Sequence, residues 1–139
     1  MGESDSMALN RVERLLGTEV LDKIERVNVI IFGIGGVGSW TAEALVRSGV
    51  KNLTIVDADK VAASNINRQL MALHSTIGMS KVEVLKKRLL DIAPDAHVTA
   101  VARLYNAEIA GEFCLSQYDY VIDAIDSLSD KASLILNAT

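Results

Sequence analysis

Cysteine and proline occur once each in the 139 residues, as Cys114 and Pro94, and tryptophan once, as Trp40. A single cysteine rules out a disulfide within the chain and any zinc site assembled from paired cysteines in it. Two histidines, His74 and His97, stand apart as one follows a helical pattern and the other begins a strand-like one, so surface or capping roles fit them better than metal ligation. No stretch approaches the ~18 uncharged apolar residues of a membrane span. The opening "MGESDSMALN" lacks the charged-then-apolar layout of a signal peptide. The expectation is a reducing, cytoplasmic location with no membrane attachment. Acids outnumber bases 18 to 14, for a formal net charge of −4, so the chain as a whole is not a nucleic-acid-binding polycation.

Half of the residues are hydrophobic, enough for a core, and their spacing alternates between two periods. Val12, Leu15, Leu16, Val20, Leu21 and Ile24 recur at helical intervals, with a break at Gly17–Thr18, which sets residues 1–26 apart as a helical arm. "VNVIIFG" (27–33) reads as a buried parallel strand. A helix follows over 37–48, stopped by Gly49. Strands are predicted at 52–57, 97–102 and 118–126, and helices at 65–73, 81–92, 107–115 and 130–138. Strand alternating with helix implies an α/β, Rossmann-like, doubly wound sheet with helices on both faces. Right-handed crossovers give the order 3-2-1-4, with ligands beyond the carboxyl ends of the strands where the order reverses. Four strands are few for such a domain. Residues 27–139 are therefore expected to be the nucleotide-binding half of a larger domain.

The turn between the first strand and its helix reads Gly33-x-Gly35-Gly36-x-Gly38. Residues without a β-carbon let the backbone approach a phosphate, and the helix start adds N–H donors and a positive dipole end. Asp57, at the end of the second strand, has the offset of an acid that binds ribose hydroxyls, which suits either NAD or ATP. Beyond it, "DADKVAASNINRQ" supplies Asp59, Ser64, Asn65, Asn67, Arg68 and Gln69, and "GMSKVE" adds Lys81. A pyrophosphate held by backbone amides needs none of these, whereas a triphosphate whose inner phosphorus must become electrophilic needs several. Asp123 and Asp126, in "VIDAIDS", come off the fourth strand at the switch point, where Asp126 would bridge Mg²⁺ to phosphates with Ser127 beside it. Cys114 falls on an apolar side and reads as a buried thiol. Trp40 reads as packing or interface, and the charges of "KVEVLKKRLL" other than Lys81 as a solvated helix face.

Taken together, "GIGGVGS", "LTIVDADKVAASNINRQ", "GMSKVEVLKKRLLDIAPDAHV" and "VIDAIDS" resemble the ubiquitin-activating-enzyme-like adenylyltransferase superfamily, over nearly the whole chain from about Arg11. Within it, "GVGSWTAEALVRSGV" and "YVIDAIDSLSDKASLI" are most similar to the tRNA threonylcarbamoyladenosine dehydratase branch. The resemblance implies ATP and Mg²⁺ as cofactors and adenylylation of a carboxylate as the reaction. It implies that Gly36 and Asp57 contact adenosine, that Asn65, Arg68 and Lys81 surround the phosphates with Gln69 in support, and that Asp126 binds the metal. Arg11 matches an arginine that dimers of the family insert into the partner's site, so a homodimer is expected. The carboxylate would lie on tRNA or, alternatively, on the C-terminus of a ubiquitin-like sulfur carrier protein, with a sulfur-transfer protein as a further partner. An NAD-dependent oxidoreductase explains the glycines and Asp57 but leaves Asn65, Arg68, Lys81 and Asp126 without a task. A non-catalytic nucleotide-binding module is the third alternative.

Overall fold

The computed structural model describes residues 7–106, 110–125 and 128–138. Two short helices, α1 (Asn10–Leu16) and α2 (Thr18–Arg26), precede strand β1 (Asn28–Phe32). There follow α3 (Gly36–Arg47), β2 (Asn52–Val56), α4 (Lys81–Ile92), β3 (His97–Val101), β4 (Tyr120–Asp123) and α5 (Leu128–Ala138). The strands pair in parallel in the order β3-β2-β1-β4, which is the predicted doubly wound arrangement.

The strands alternate their side chains between two apolar layers, as the two-residue period of a strand requires. Val29 and Ile31 of β1 and Leu53 and Ile55 of β2 pack with Ala42 and Val46 of α3 and with Val82, Leu85 and Leu89 of α4. Ile30, Phe32 and Val56 face the opposite way and meet Tyr105, Leu115 and Leu134 of α5. Phe32 makes edge-on contacts with Tyr105 and Phe113, at ring separations of 5.0 and 5.2 Å. Helices on both faces leave the carboxyl ends of the strands open, and these ends carry the cleft.

The arm packs at the other end of the sheet. Leu21 is the one residue of α1 and α2 that is buried. Gly49, after α3, has φ +112°, and a β-carbon there would approach within 3.0 Å of Leu21 and 3.6 Å of Ile24.

Two predicted helices differ. Residues 65–73 are a 3₁₀ turn (Ala63–Asn65) followed by irregular chain. Two groups that a helix would pair internally are taken elsewhere, for Leu70 N–H donates to Ser39 Oγ and the Arg68 carbonyl accepts from Trp40 Nε1. In the 107–115 region there are 3₁₀ turns at Ala110–Glu112 and Leu115–Gln117, and residues 107–109 lie outside those described. Cys114, expected to be buried, is exposed; Phe113 and Leu115 fill the apolar side in its place.

Candidate functional site

A cleft of about 760 Å³ opens above β1, β2 and β4. Its lining includes Gly33, Gly35 and Gly36 from the glycine turn, Asp57 and Asp59 from the end of β2, and Asn65, Arg68, Gln69 and Lys81 from the following segments. Nine of the sequence-predicted residues thus share one hollow. Gly33 has φ +87°, and a β-carbon on it would lie 2.5 Å from the Ala124 carbonyl oxygen, so the turn admits no side chain there. Gly38 does not line the cleft. A β-carbon on it would overlap the Gly33 carbonyl, so its smallness serves the close approach of α3 to β1.

The turn is anchored by Asp57, whose Oδ2 accepts the Ile34 N–H at 2.9 Å and whose Oδ1 accepts the Asp59 N–H at 2.8 Å. The aspartate expected at a ribose therefore also fixes the loop that faces it. Gly35 caps α3, and the Gln69 side-chain nitrogen would lie 3.4 Å from a β-carbon on Gly35. Gln69 is 7% exposed, and its Oε1 is buried without a hydrogen-bond partner. A buried amide oxygen left unpaired costs stability, and beside a glycine turn in a cleft it is suited to a bound donor or an ordered water. Asn65 is buried, and its Oδ1 accepts the Ala62 N–H at 2.8 Å, which shapes the bend before Arg68.

Four cations line the cleft among the described residues: Arg68, Lys81, Arg103 and Lys131. Three face carboxylates. Lys81 is buried, with Nζ 3.6 Å from Asp59 Oδ2. Lys131 Nζ donates to Asp123 Oδ1 at 3.0 Å, an oxygen that also accepts the Ile125 N–H. Arg103 grips Glu112 with both terminal nitrogens. Arg68 alone of the four bonds only uncharged acceptors, the Ser64 carbonyl at 3.0 Å and Asn67 Oδ1 at 2.9 Å. Its methylenes lie beside Gly36.

Ser64 and Asn67 do not line the cleft; both are exposed and support the Arg68 guanidinium. Arg11 is exposed on α1, and that arm packs at the C-terminal end of α3, away from the glycine turn. It is not part of this chain's own cleft. Asp126 and Ser127 lie outside the described residues, and among those described there is no cluster of metal-ligating side chains. Arg103, Tyr105 and Lys131 line the cleft without having been predicted. No local pattern marks them, because the sheet order alone brings the ends of β3 and β4 to the hollow. Arg88, read as a solvated charge, donates to the buried Glu43 at 2.5 Å. Among the described residues no helix is long and apolar enough to cross a membrane.

The parallel sheet and its glycine-lined cleft define a Rossmann-like α/β protein. A model of the ThiF family matches residues 8–138, and the chain belongs to that family. It is 44% identical over 126 residues to the tRNA threonylcarbamoyladenosine dehydratase of Bacillus subtilis, covering 91% of this chain and 50% of that protein. With the enzyme of the same name from Haemophilus influenzae the identity is 43% over 124 residues, covering 89% of this chain and 48% of that one. The crystal structure of the E. coli tRNA N6-threonylcarbamoyladenosine dehydratase in complex with ATP matches with a TM-score of 0.92 at 38% identity, over 96% of this chain and 55% of that one. The chain spans about half the length of the curated relatives it matches.

Proposed function

We propose that this chain binds ATP in the cleft and supplies the nucleotide-handling part of a carboxylate-activating adenylyltransferase. The substrate class we infer is the threonylcarbamoyl group on a tRNA adenosine, whose carboxylate is adenylylated with release of pyrophosphate and then closes into the cyclic, formally dehydrated form by expelling AMP, which carries off the carboxylate oxygen. The names of the relatives and the bound ATP in the E. coli structure support this reading. In this division of labour residues 27–139 hold the nucleotide and residues 1–26 serve as the arm.

The observation that carries the proposal is the state of Arg68. It is a cation on the lip of a glycine turn, held by neutral acceptors, next to a buried amide oxygen without a partner. A guanidinium so placed grips two phosphate oxygens at little cost, because no carboxylate has to be displaced. Lys81 adds a buried point charge to the same cleft. A carboxylate oxygen attacking the α-phosphorus must displace pyrophosphate, and Arg68 and Lys81 would stabilise the charge that builds on the departing oxygens. Asp57 orients the turn and would accept ribose hydroxyls with its remaining lone pairs. Gly35 and Gly36 would let the α3 N-terminus approach the phosphates.

Asp126, with Ser127 beside it, is the residue we assign to Mg²⁺, which when bound would neutralise part of the phosphate charge. Arg11 would act in a second copy's cleft, which makes the working unit a homodimer. The location we infer for this reaction is the cytoplasm.

Calorimetric titration with ATP and with NAD, each with and without Mg²⁺, tests the nucleotide. Mg²⁺-dependent ATP binding with no appreciable NAD binding is expected, and the reverse preference overturns the proposal. Pyrophosphate release driven by tRNA bearing threonylcarbamoyladenosine tests the substrate. Release driven instead by a ubiquitin-like sulfur carrier protein would move the chain to the alternative branch.

A further inference from the structure

Ser39 and Trp40 stand side by side on the first turns of α3, and both reach across to the segment that carries Arg68. Ser39 is fully buried. Its hydroxyl donates to the Gly35 carbonyl at 2.5 Å and accepts the Leu70 N–H at 3.2 Å. The Trp40 indole N–H donates to the Arg68 carbonyl at 3.0 Å, although the ring is 54% exposed. The two bonds therefore bracket Gln69, one on the residue before it and one on the residue after, and Gln69 is the side chain that faces Gly35. They also account for the absence of a helix over 65–73, since they occupy the groups such a helix would use.

A half-exposed indole gains little from burial. Its directed bond to a main-chain carbonyl is the contact that distinguishes it from any apolar residue of similar size. We propose that Ser39 and Trp40 are positioning residues that fasten the Arg68–Leu70 segment to the glycine helix, so that the phosphate-binding turn and the Arg68 guanidinium keep one fixed separation. Neither residue lines the cleft; both act through Arg68 and Gln69. The inference rests on the reading of the cleft as an ATP site and names what sets its geometry.

The test is a double-mutant cycle read by calorimetric ATP titration of the protein with Mg²⁺. Trp40→Phe keeps the ring and removes the donor. One neutral hydrogen bond corresponds to about a three- to tenfold change in an equilibrium, and ATP binding is expected to weaken by that factor. In an Arg68→Ala background the same substitution should have a clearly smaller effect, because the guanidinium is gone and only the part exerted through Gln69 remains. Equal, additive losses in the two backgrounds overturn the proposal, as does unchanged affinity in Trp40→Phe. Should Trp40→Phe fail to fold by circular dichroism, Ser39→Ala carries the same cycle with the same two overturning outcomes. Tryptophan fluorescence gives an independent readout. Trp40 is the sole indole of the chain, and its emission should shift on ATP addition to the parent protein and stay constant in Arg68→Ala. If the parent protein binds no ATP, the functional reading itself fails; if it binds ATP and the cycle shows no coupling, only the positioning role fails.

Discussion

Asp57 and Ile34 are 23 residues apart in sequence and 2.9 Å apart in space, the aspartate carboxylate accepting the isoleucine N–H. One side chain thus sets the distance between the end of β2 and the glycine turn. Asp57→Ala should lower the stability of the nucleotide-free protein by about 2 kcal/mol, the value of a hydrogen bond to a charged group, and should weaken ATP binding as well. A side chain whose work is confined to a ribose would leave the nucleotide-free melting curve unchanged. Urea unfolding without nucleotide separates the two.

The glycines of the turn divide into those that serve the fold and those that serve the ligand. Gly38→Ala drives a methyl into the Gly33 carbonyl and should cost about 3 kcal/mol or more, or prevent folding, because backbone there cannot yield cheaply. A β-carbon on Gly36 would sit 3.6 Å from the Arg68 Cγ, an ordinary contact. Gly36→Ala should therefore fold with near-parental stability and lose ATP affinity, since its methyl occupies the approach left open for a phosphate. Melting curves should place Gly38→Ala well below Gly36→Ala, and ATP titration should show Gly36→Ala to be weakened although folded.

Stability at the far end of the molecule should depend on pH through Lys51 and Asp95, whose charged groups are 2.6 Å apart, with Glu25 at 3.7 Å from the same ammonium. The hydrogen bond from Lys51 holds the Asp95 carboxyl below its ordinary value of 3.8, and the bond to Asp95 holds Lys51 above its ordinary 10.5. A depressed acid contributes stability that is present above pH ~3.8 and disappears as the pH falls through its folded value. A raised base contributes stability that is complete below pH ~10.5 and disappears as the pH rises through its folded value. Asp95→Asn should reduce the dependence of unfolding free energy on pH below 4 and leave ATP affinity unchanged at pH 7. The effect should be modest and shrink in high salt, as for partly exposed pairs.

Arg11 provides a test of assembly. Because the arm packs by Gly49 through Leu9, Leu21 and Ile24, at the opposite end of α3 from the turn, the loss of pyrophosphate release expected in Arg11→Ala is assigned to a neighbouring copy's cleft. Mixing Arg11→Ala with Arg68→Ala should recover part of the activity, since a mixed pair contains one cleft with both arginines. Absence of any recovery would remove the shared-site assignment.

The sheet was legible because buried parallel strands read as short apolar runs between glycines and polar turns, as in 27–33 and 52–57. The glycine turn, Asp57, Arg68, Gln69 and Lys81 were legible because they lie on three short stretches whose residue types suit phosphate. Residues 65–73 were misread as a helix for a definite reason. Ile66, Leu70 and Leu73 have helical spacing, but Ser39 and Trp40 bind the backbone groups that a helix would have paired. Lys131 and Arg103 carry no local mark of function, and only the strand order brings them to the cleft. Cys114 shows the converse error, an apolar neighbourhood in sequence that places Phe113 and Leu115 inward and the thiol outward.

The central position of β1 also governs when the cleft can exist. Its partner on one side, β2, follows within a short span of chain, whereas Asn28 meets Asp119 across 91 residues on the other side. Closing so long a loop is slow and entropically costly. During synthesis the glycine turn and Arg68 emerge before the wall formed by Asp123 and Lys131, so the cleft has no second side until the later segment has joined β1.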